Sequence, residues 1–126
     1  MHIPAELRYS SDHEWVRVDG ATVTIGITEY AQDALGDVVF VDVPESGLTV
    51  AAGESFSEVE STKSVSDIYA PISGSVIEVN PALESTPELL NSDPYGEGWI
   101  CRIEVANASE LEGLMDADAY RALTEG

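Results

Sequence analysis

Short runs of alternating apolar and polar residues, each ended by glycine, proline or a turn dipeptide, constrain this chain more than any other feature. A period of two sends one face of each run into a core and the other into water, the pattern of antiparallel strands. Residues 9–18 pass from a polar turn into such a run, Asp19-Gly20 marks a hairpin, and Ala21–Ile27 alternates back. Gly26 inside that return run marks a bulge or the close approach of another group. Val38–Val43 is rich in β-branched residues and stops at Pro44, so Val39, Phe40 and Val41 are expected in the core. Ser55–Glu60 and Val65–Ala70 flank Ser61-Thr62-Lys63-Ser64, a set of small hydroxyl residues suited to a hairpin tip. Further strands are expected at Ser75–Val79 and Trp99–Val105.

Helices are short. Thr28 is placed to cap Glu29–Leu35, with Gly36 as its stop. Thr86-Pro87-Glu88 reads as a cap and first helical turn. Asn107 with Glu110 has the form of a capping box for a helix carrying Leu111, Leu114 and Met115, and Asp116 caps another over Ala117–Leu123. Without alternating strand–helix–strand units, a parallel sheet is excluded. The expected architecture is mostly β: a flattened antiparallel barrel or sandwich with short peripheral and C-terminal helices. One domain spans residues 1–126, with the lysine hairpin at about 55–70 and the C-terminal helices at about 107–124.

Charge narrows the function. Five cations stand against 24 carboxylates, a net charge of −19, so phosphate backbones and anionic lipid are repelled and neither nucleic acid nor membrane is an expected partner. Such a surface suits docking onto basic patches of other proteins. No apolar run reaches spanning length, and Met1-His-Ile-Pro-Ala-Glu6 lacks the basic and apolar regions of a signal peptide, so the expected compartment is the cytoplasm. Cys101 is alone, which leaves no disulfide framework and no thiolate metal site. His2, read as lying at a loose terminus, and His13 are the only imidazoles, and no dinucleotide, Walker, nucleophile-elbow or zincin motif is present. Autonomous catalysis is not expected.

Lys63 is the only lysine in 126 residues; the other cations are Arg8, Arg17, Arg102 and Arg121. An exposed tip lacks the burial that makes a lysine a catalytic base or Schiff-base amine. Covalent acylation asks instead for reach and access, which a tip supplies. The competing reading is a solubilising hairpin charge.

Six segments in this order resemble the H protein of the glycine cleavage system, the lipoate-carrying subunit, over nearly the whole chain. They are His13-Glu-Trp-Val16, Gly26-Ile-Thr-Glu-Tyr-Ala-Gln32, Leu35-Gly-Asp-Val-Val-Phe-Val41, Glu58-Val-Glu-Ser-Thr-Lys-Ser-Val65, Tyr69-Ala-Pro-Ile-Ser-Gly74 and Asn91-Ser-Asp-Pro-Tyr-Gly-Glu-Gly-Trp99. The resemblance implies a lipoyl-domain type of flattened barrel, with Lys63 joined by an amide to lipoic acid. It implies a non-catalytic carrier; the acidity of so small a domain separately points to a monomer. Its partners would be a glycine decarboxylase (P protein), an aminomethyltransferase (T protein), a dihydrolipoamide dehydrogenase (L protein) and a lipoate-attaching enzyme. An aminomethyl group would pass from the first to the second, and electrons then to the third.

By the same resemblance Glu14, Asp67 and Asp12 match the cleft that shelters the aminomethyl-lipoyl arm, Asp12 standing where plant relatives commonly carry serine. Ala34 stands where some relatives have histidine, so no role passes to it. Glu60 and Asp67 fall where recognition by the lipoate-attaching enzyme is implied. Residue chemistry leaves a second reading for each: strand-surface acids for Glu14 and Asp67, local charge balance for Glu60 and Asp67. Pro94, Tyr95 and Trp99 read as a turn and core anchor. A biotinyl carrier would flank its lysine with methionines and an oxo-acid lipoyl domain would read Asp-Lys-Ala; neither pattern surrounds Lys63. A relay protein donating lipoate to other complexes is the alternative role. A small acidic hydrolase, working without lipoate, is the third.

Overall fold

The computed structural model describes residues 3–125, and His2 lies outside them. Alternation becomes pairing almost run for run. Strands β1 (Arg8–Tyr9), β2 (Glu14–Asp19), β3 (Thr22–Ile27), β5 (Thr49–Val50), β8 (Gly74–Val79) and β9 (Cys101–Val105) form one sheet in the order β1-β2-β3-β9-β8-β5. Strands β4 (Val38–Asp42), β6 (Ser55–Ser61) and β7 (Val65–Tyr69) form a second, with β6 in the centre. Every described pairing is antiparallel. The two-residue β5 is too short to show a period and was not expected.

Apolar side chains of both sheets fill the space between them. Val16, Val23, Ile25 and Ile27 meet Val41, Val59 and Ile68 there, and Cys101 is a buried member of the same cluster whose thiol is pushed up to about 12 by burial. A smaller cluster lies elsewhere: Ile3, Leu7, Tyr9 and Trp15 pack with Ala117 and Tyr120. Tyr120 belongs to helix α4 (Ala117–Glu125), whose N-terminal Asp116 carboxylate accepts the Ala119 N–H at 2.8 Å. Gly26 sits opposite Trp15 in the ladder, and a methyl there would lie 2.6 Å from the indole. The close-approach reading of Gly26 therefore holds, because only a missing side chain lets the ring lie across β3. The indole Nε1–H then donates to the Pro94 carbonyl at 2.8 Å, and Tyr95 and Trp99 pack against this cluster as the expected anchor.

Three expectations change. Val41 is buried, but Val39 and Phe40 are 53% and 49% exposed. The ladder slips between Val38 and Phe40, so an extra residue enters and the buried positions Val38 and Val41 stand three apart instead of two. Thr86 ends helix α2 (Ala82–Ser85) by donating its N–H to the Ala82 carbonyl, and the following helix α3 (Leu89–Ser92) has Glu88 at its N-cap with no side-chain bond. Asn107 opens only a 3-10 helix over Ala108–Gly113, accepting from the Ser109 N–H. Its partner Glu110 turns away to accept from Ser73, at 2.7 Å from the backbone N–H and 3.1 Å from the hydroxyl, so the reciprocal box yields to a tertiary contact. Leu114 then extends, and Met115 pairs with Tyr9 as a strand bridge.

Candidate functional site: the lysine hairpin and its groove

The β6–β7 hairpin turns through Thr62 and Lys63, with the Ser61 N–H donating to the Ser64 carbonyl at 2.8 Å. Neither turn residue has a positive φ, so the backbone does not adopt the left-handed conformations common in two-residue hairpin turns. The Ser61 hydroxyl compensates by accepting the N–H groups of Lys63 and Ser64, both at 3.1 Å. A fourth bond, from the Thr62 N–H to the Asp37 carbonyl at 3.0 Å, ties the tip to the corner after helix α1 (Glu29–Leu35). Gly36 ends that helix at φ 81°, where a methyl would come within 3.2 Å of Lys63 Cε. The lysine stem lies along this corner while the residue is exposed. Among the described residues, ion pairs engage Arg102 and Arg121, and none engages Lys63. In so acidic a chain, its single primary side-chain amine is uncommitted.

A groove of about 250 Å³ opens beside the tip, between β7, α1 and the turn before β2. Ser64, Ser66 and Asp67 line one side, Tyr30, Ala31 and Ala34 another, and Asp12 and His13 a third, over Ile27, Leu35 and Ile68. The wall is thus hydroxyl and carboxylate around an aliphatic floor. Asp12 and Asp67, distant in sequence, both line this groove. Glu14 is not on the wall. It is 1% exposed, so the description of it as a surface acid is corrected: its carboxylate accepts from the Ser10 hydroxyl at 2.6 Å beneath the turn. Burial raises its pKa to about 7; the Ser10 bond opposes this, Asp12 adds to the rise, and a backbone bond at Tyr69 opposes it. Glu60 is also elsewhere, half-buried on β6 opposite Phe40 and Val65.

Sequence reading missed the groove's helical wall and its brace. Within helix α1, positions 30 and 34 stand i, i+4 and positions 31 and 34 stand i, i+3, a one-face spacing that was visible. Tyr120 was not findable that way. Its hydroxyl lies 2.7 Å from Thr28 Oγ1, which caps α1 by accepting the Ala31 N–H, and 2.8 Å from His13 Nδ1. The C-terminal helix thereby fixes both the start of α1 and the His13 wall, whose backbone is held at φ 71° and whose ring packs on Tyr30. Burial lowers the His13 pKa, against the pull of Asp12, which suits an imidazole held as a neutral acceptor.

A closed β sandwich that presents one free amine on a braced turn, next to a small acid-lined groove, defines a carrier domain: the side chain is offered for others to load. Among the described residues no cluster of metal-ligating groups occurs, and no helix is long and apolar enough to cross a membrane. Residues 7–126 match the family described as Glycine cleavage H-protein. The glycine cleavage system H protein of Beutenbergia cavernae is 57% identical over 126 residues, covering 100% of this chain and 99% of that protein. The namesake from Escherichia coli O7:K1 is 57% identical, covering 98% of this chain and 97% of its own length. The crystal structure of a glycine cleavage system H protein from Mycobacterium marinum superposes with a TM-score of 0.87 at 44% identity, covering 98% of this chain and 100% of that one. The chain belongs to the glycine cleavage H-protein family, and its role is that of a non-catalytic carrier working with the other components of the glycine cleavage system.

Proposed function

We propose that Lys63 is the point at which lipoic acid is attached, through an amide, and that residues 1–126 act as one monomeric carrier domain around it. The observation that carries this reading is the uncommitted Lys63 amine, exposed on a turn held by hydrogen bonds at Ser61, Thr62 and Ser64, in a chain with no other lysine. The residues present fit such a group: the groove that begins at Ser64 has an aliphatic floor for a hydrocarbon arm and two carboxylates on its wall. Bound there, lipoyl would supply a dithiolane able to take a one-carbon unit from a glycine decarboxylase, yield it to an aminomethyltransferase, and be reoxidised by a dihydrolipoamide dehydrogenase. The chain's residues present and shelter. Asp12 and Asp67 would favour a cationic cargo in the groove. Glu14, buried behind them, would add charge to the site only in its ionised form. Glu60 and Asp67 would flank Lys63 for the lipoate-attaching enzyme.

Intact mass with peptide mapping, on protein made in a lipoate-competent host, tests the assignment against Lys63→Arg. A single lipoyl amide on Lys63, absent from the variant, is the expected result. An unmodified Lys63 in the presence of working attaching enzyme and lipoate overturns it.

A further inference from the structure

Asn91 lies in helix α3 and does not line the groove, yet its side-chain amide is engaged at both ends. The oxygen accepts the Val38 N–H at 2.8 Å, and the NH2 donates to the Gly36 carbonyl at 2.8 Å and to Gln32 Oε1 at 3.0 Å. The two backbone partners fix which way the amide points, since an N–H needs an oxygen and a carbonyl needs a donor. Gly36 and Val38 flank Asp37, whose carbonyl accepts the Thr62 N–H of the lysine turn. Asn91 therefore grips the corner one residue to either side of the group that holds the tip. The same corner meets the lysine a second time, because the Lys63 stem runs past Gly36. It also continues directly from Ala34 and Leu35, which line the groove.

We infer that Asn91 is a positioning residue for Lys63: it holds the 36–38 corner, and the corner sets where the lysine stem stands at the mouth of the groove. The functional meaning rests on the assignment of Lys63 as the attachment point, whereas the clasp itself is independent of it. Bonds among Ser61, Lys63 and Ser64 fix the shape of the turn. Its placement comes from the Thr62 bond to Asp37 and the pairing of Ser61 with Val38, and both end on the corner. The corner in turn needs a partner from outside. Gly36 leaves the helix at φ 81° after its N–H closes α1 on the Gln32 carbonyl, and its own carbonyl and the Val38 N–H both turn to Asn91. A carboxamide supplies acceptor and donor in one plane; an aliphatic side chain supplies neither, and a carboxylate only the acceptor. When Lys63 is acylated, its nitrogen attacks the carbonyl carbon of an activated lipoyl donor. The C–N bond forms, the bond to the activating group breaks with its electron pair, and the amine loses a proton. A nitrogen misplaced by about 1 Å costs up to about 10²-fold in such a step. Asn91 touches no part of the turn itself, so its loss should slow the reaction without weakening encounter.

Lysine labelled with 13C and 15N gives side-chain signals from Lys63 alone, because the chain has no other lysine. In the unmodified parent a nuclear Overhauser effect should join the Lys63 ε-protons to the Gly36 α-protons. Asn91→Asp keeps the shape and the Val38 bond but turns an acceptor toward the Gly36 carbonyl, and Asn91→Ala removes both bonds. Each should abolish that contact and speed Thr62 amide exchange about tenfold. Each should also lower kcat for acylation by a purified lipoate-attaching enzyme, with lipoic acid and ATP, about fivefold while KM stays within about twofold. Asn80→Ala is the control: it removes an amide that donates to the Glu97 and Trp99 carbonyls and accepts the Ala82 N–H. It should leave all these readings at their parent values. Thermal melting checks that the variants are folded. A retained contact and exchange rate in a folded Asn91 variant overturns the inference, and so does an unchanged kcat. The same losses in Asn80→Ala overturn it by showing a general loosening. A parent that shows the Gly36 contact but is not acylated overturns the Lys63 assignment instead, because the spectra are recorded before acylation.

Discussion

The Trp15 cluster and the Lys63 hairpin use aromatic and apolar residues to opposite ends. Around Trp15 the central rings are inside: Tyr9, Trp15 and Tyr120 are fully buried, Tyr9 and Tyr120 stack at 4.7 Å, and the indole N–H is satisfied by Pro94. At the hairpin Phe40 and Val65 face water, and order comes from the hydrogen bonds about the turn. The first region sets stability and the second keeps a reactive group accessible. Tyr120 links them, since the residue that fills the aromatic cluster also braces the groove through His13 and Thr28. Rigidity is thus built away from the lysine and delivered to it.

That contrast can be broken by mutation. Trp15→Ala should have the largest effect on folding, costing about 3–5 kcal/mol because it leaves a cavity over Gly26 and an unpaired Pro94 carbonyl. Urea denaturation measures this, and a loss below about 1 kcal/mol would show that the aromatic cluster is not the anchor. Glu14→Gln sharpens the comparison through pH. The carboxyl's folded value of about 7 stands above its ordinary 4.5, so the folded protein holds a proton that unfolding releases between those values. Stability of the parent should therefore fall as pH rises from 4.5 to 7, by up to about 3 kcal/mol, then level off. The Gln variant should lack this fall and be the more stable form above pH 7; parallel curves of urea midpoint against pH would refute the buried-acid assignment. Ser61→Ala should cost least, about 1 kcal/mol, because its two N–H partners are exposed and water replaces the hydroxyl. Its visible effect should be faster amide hydrogen exchange at Lys63 and Ser64, and unchanged exchange there would mean that the hydroxyl does not hold the turn.

The sequence by itself determined the strands, the tip and the family. A period of two is a local property, hydroxyl residues between two such runs announce a turn, and one lysine in a chain of arginines is plain to see. Helix caps at Thr28 and Asp116 were equally local. Tertiary structure decided what depended on distant partners. The slip at Phe40 arises from pairing with β6, and pattern alone put that side chain inside. Glu110 had an attractive local partner in Asn107 and found a better one in Ser73. Glu14 and Asp67, both acids in strands, were indistinguishable by composition. Packing buried one beneath a turn and left the other on the groove wall, because burial depends on which elements close over a residue. The single lysine between two strand runs was written in the chain; the groove beside it was made by folding.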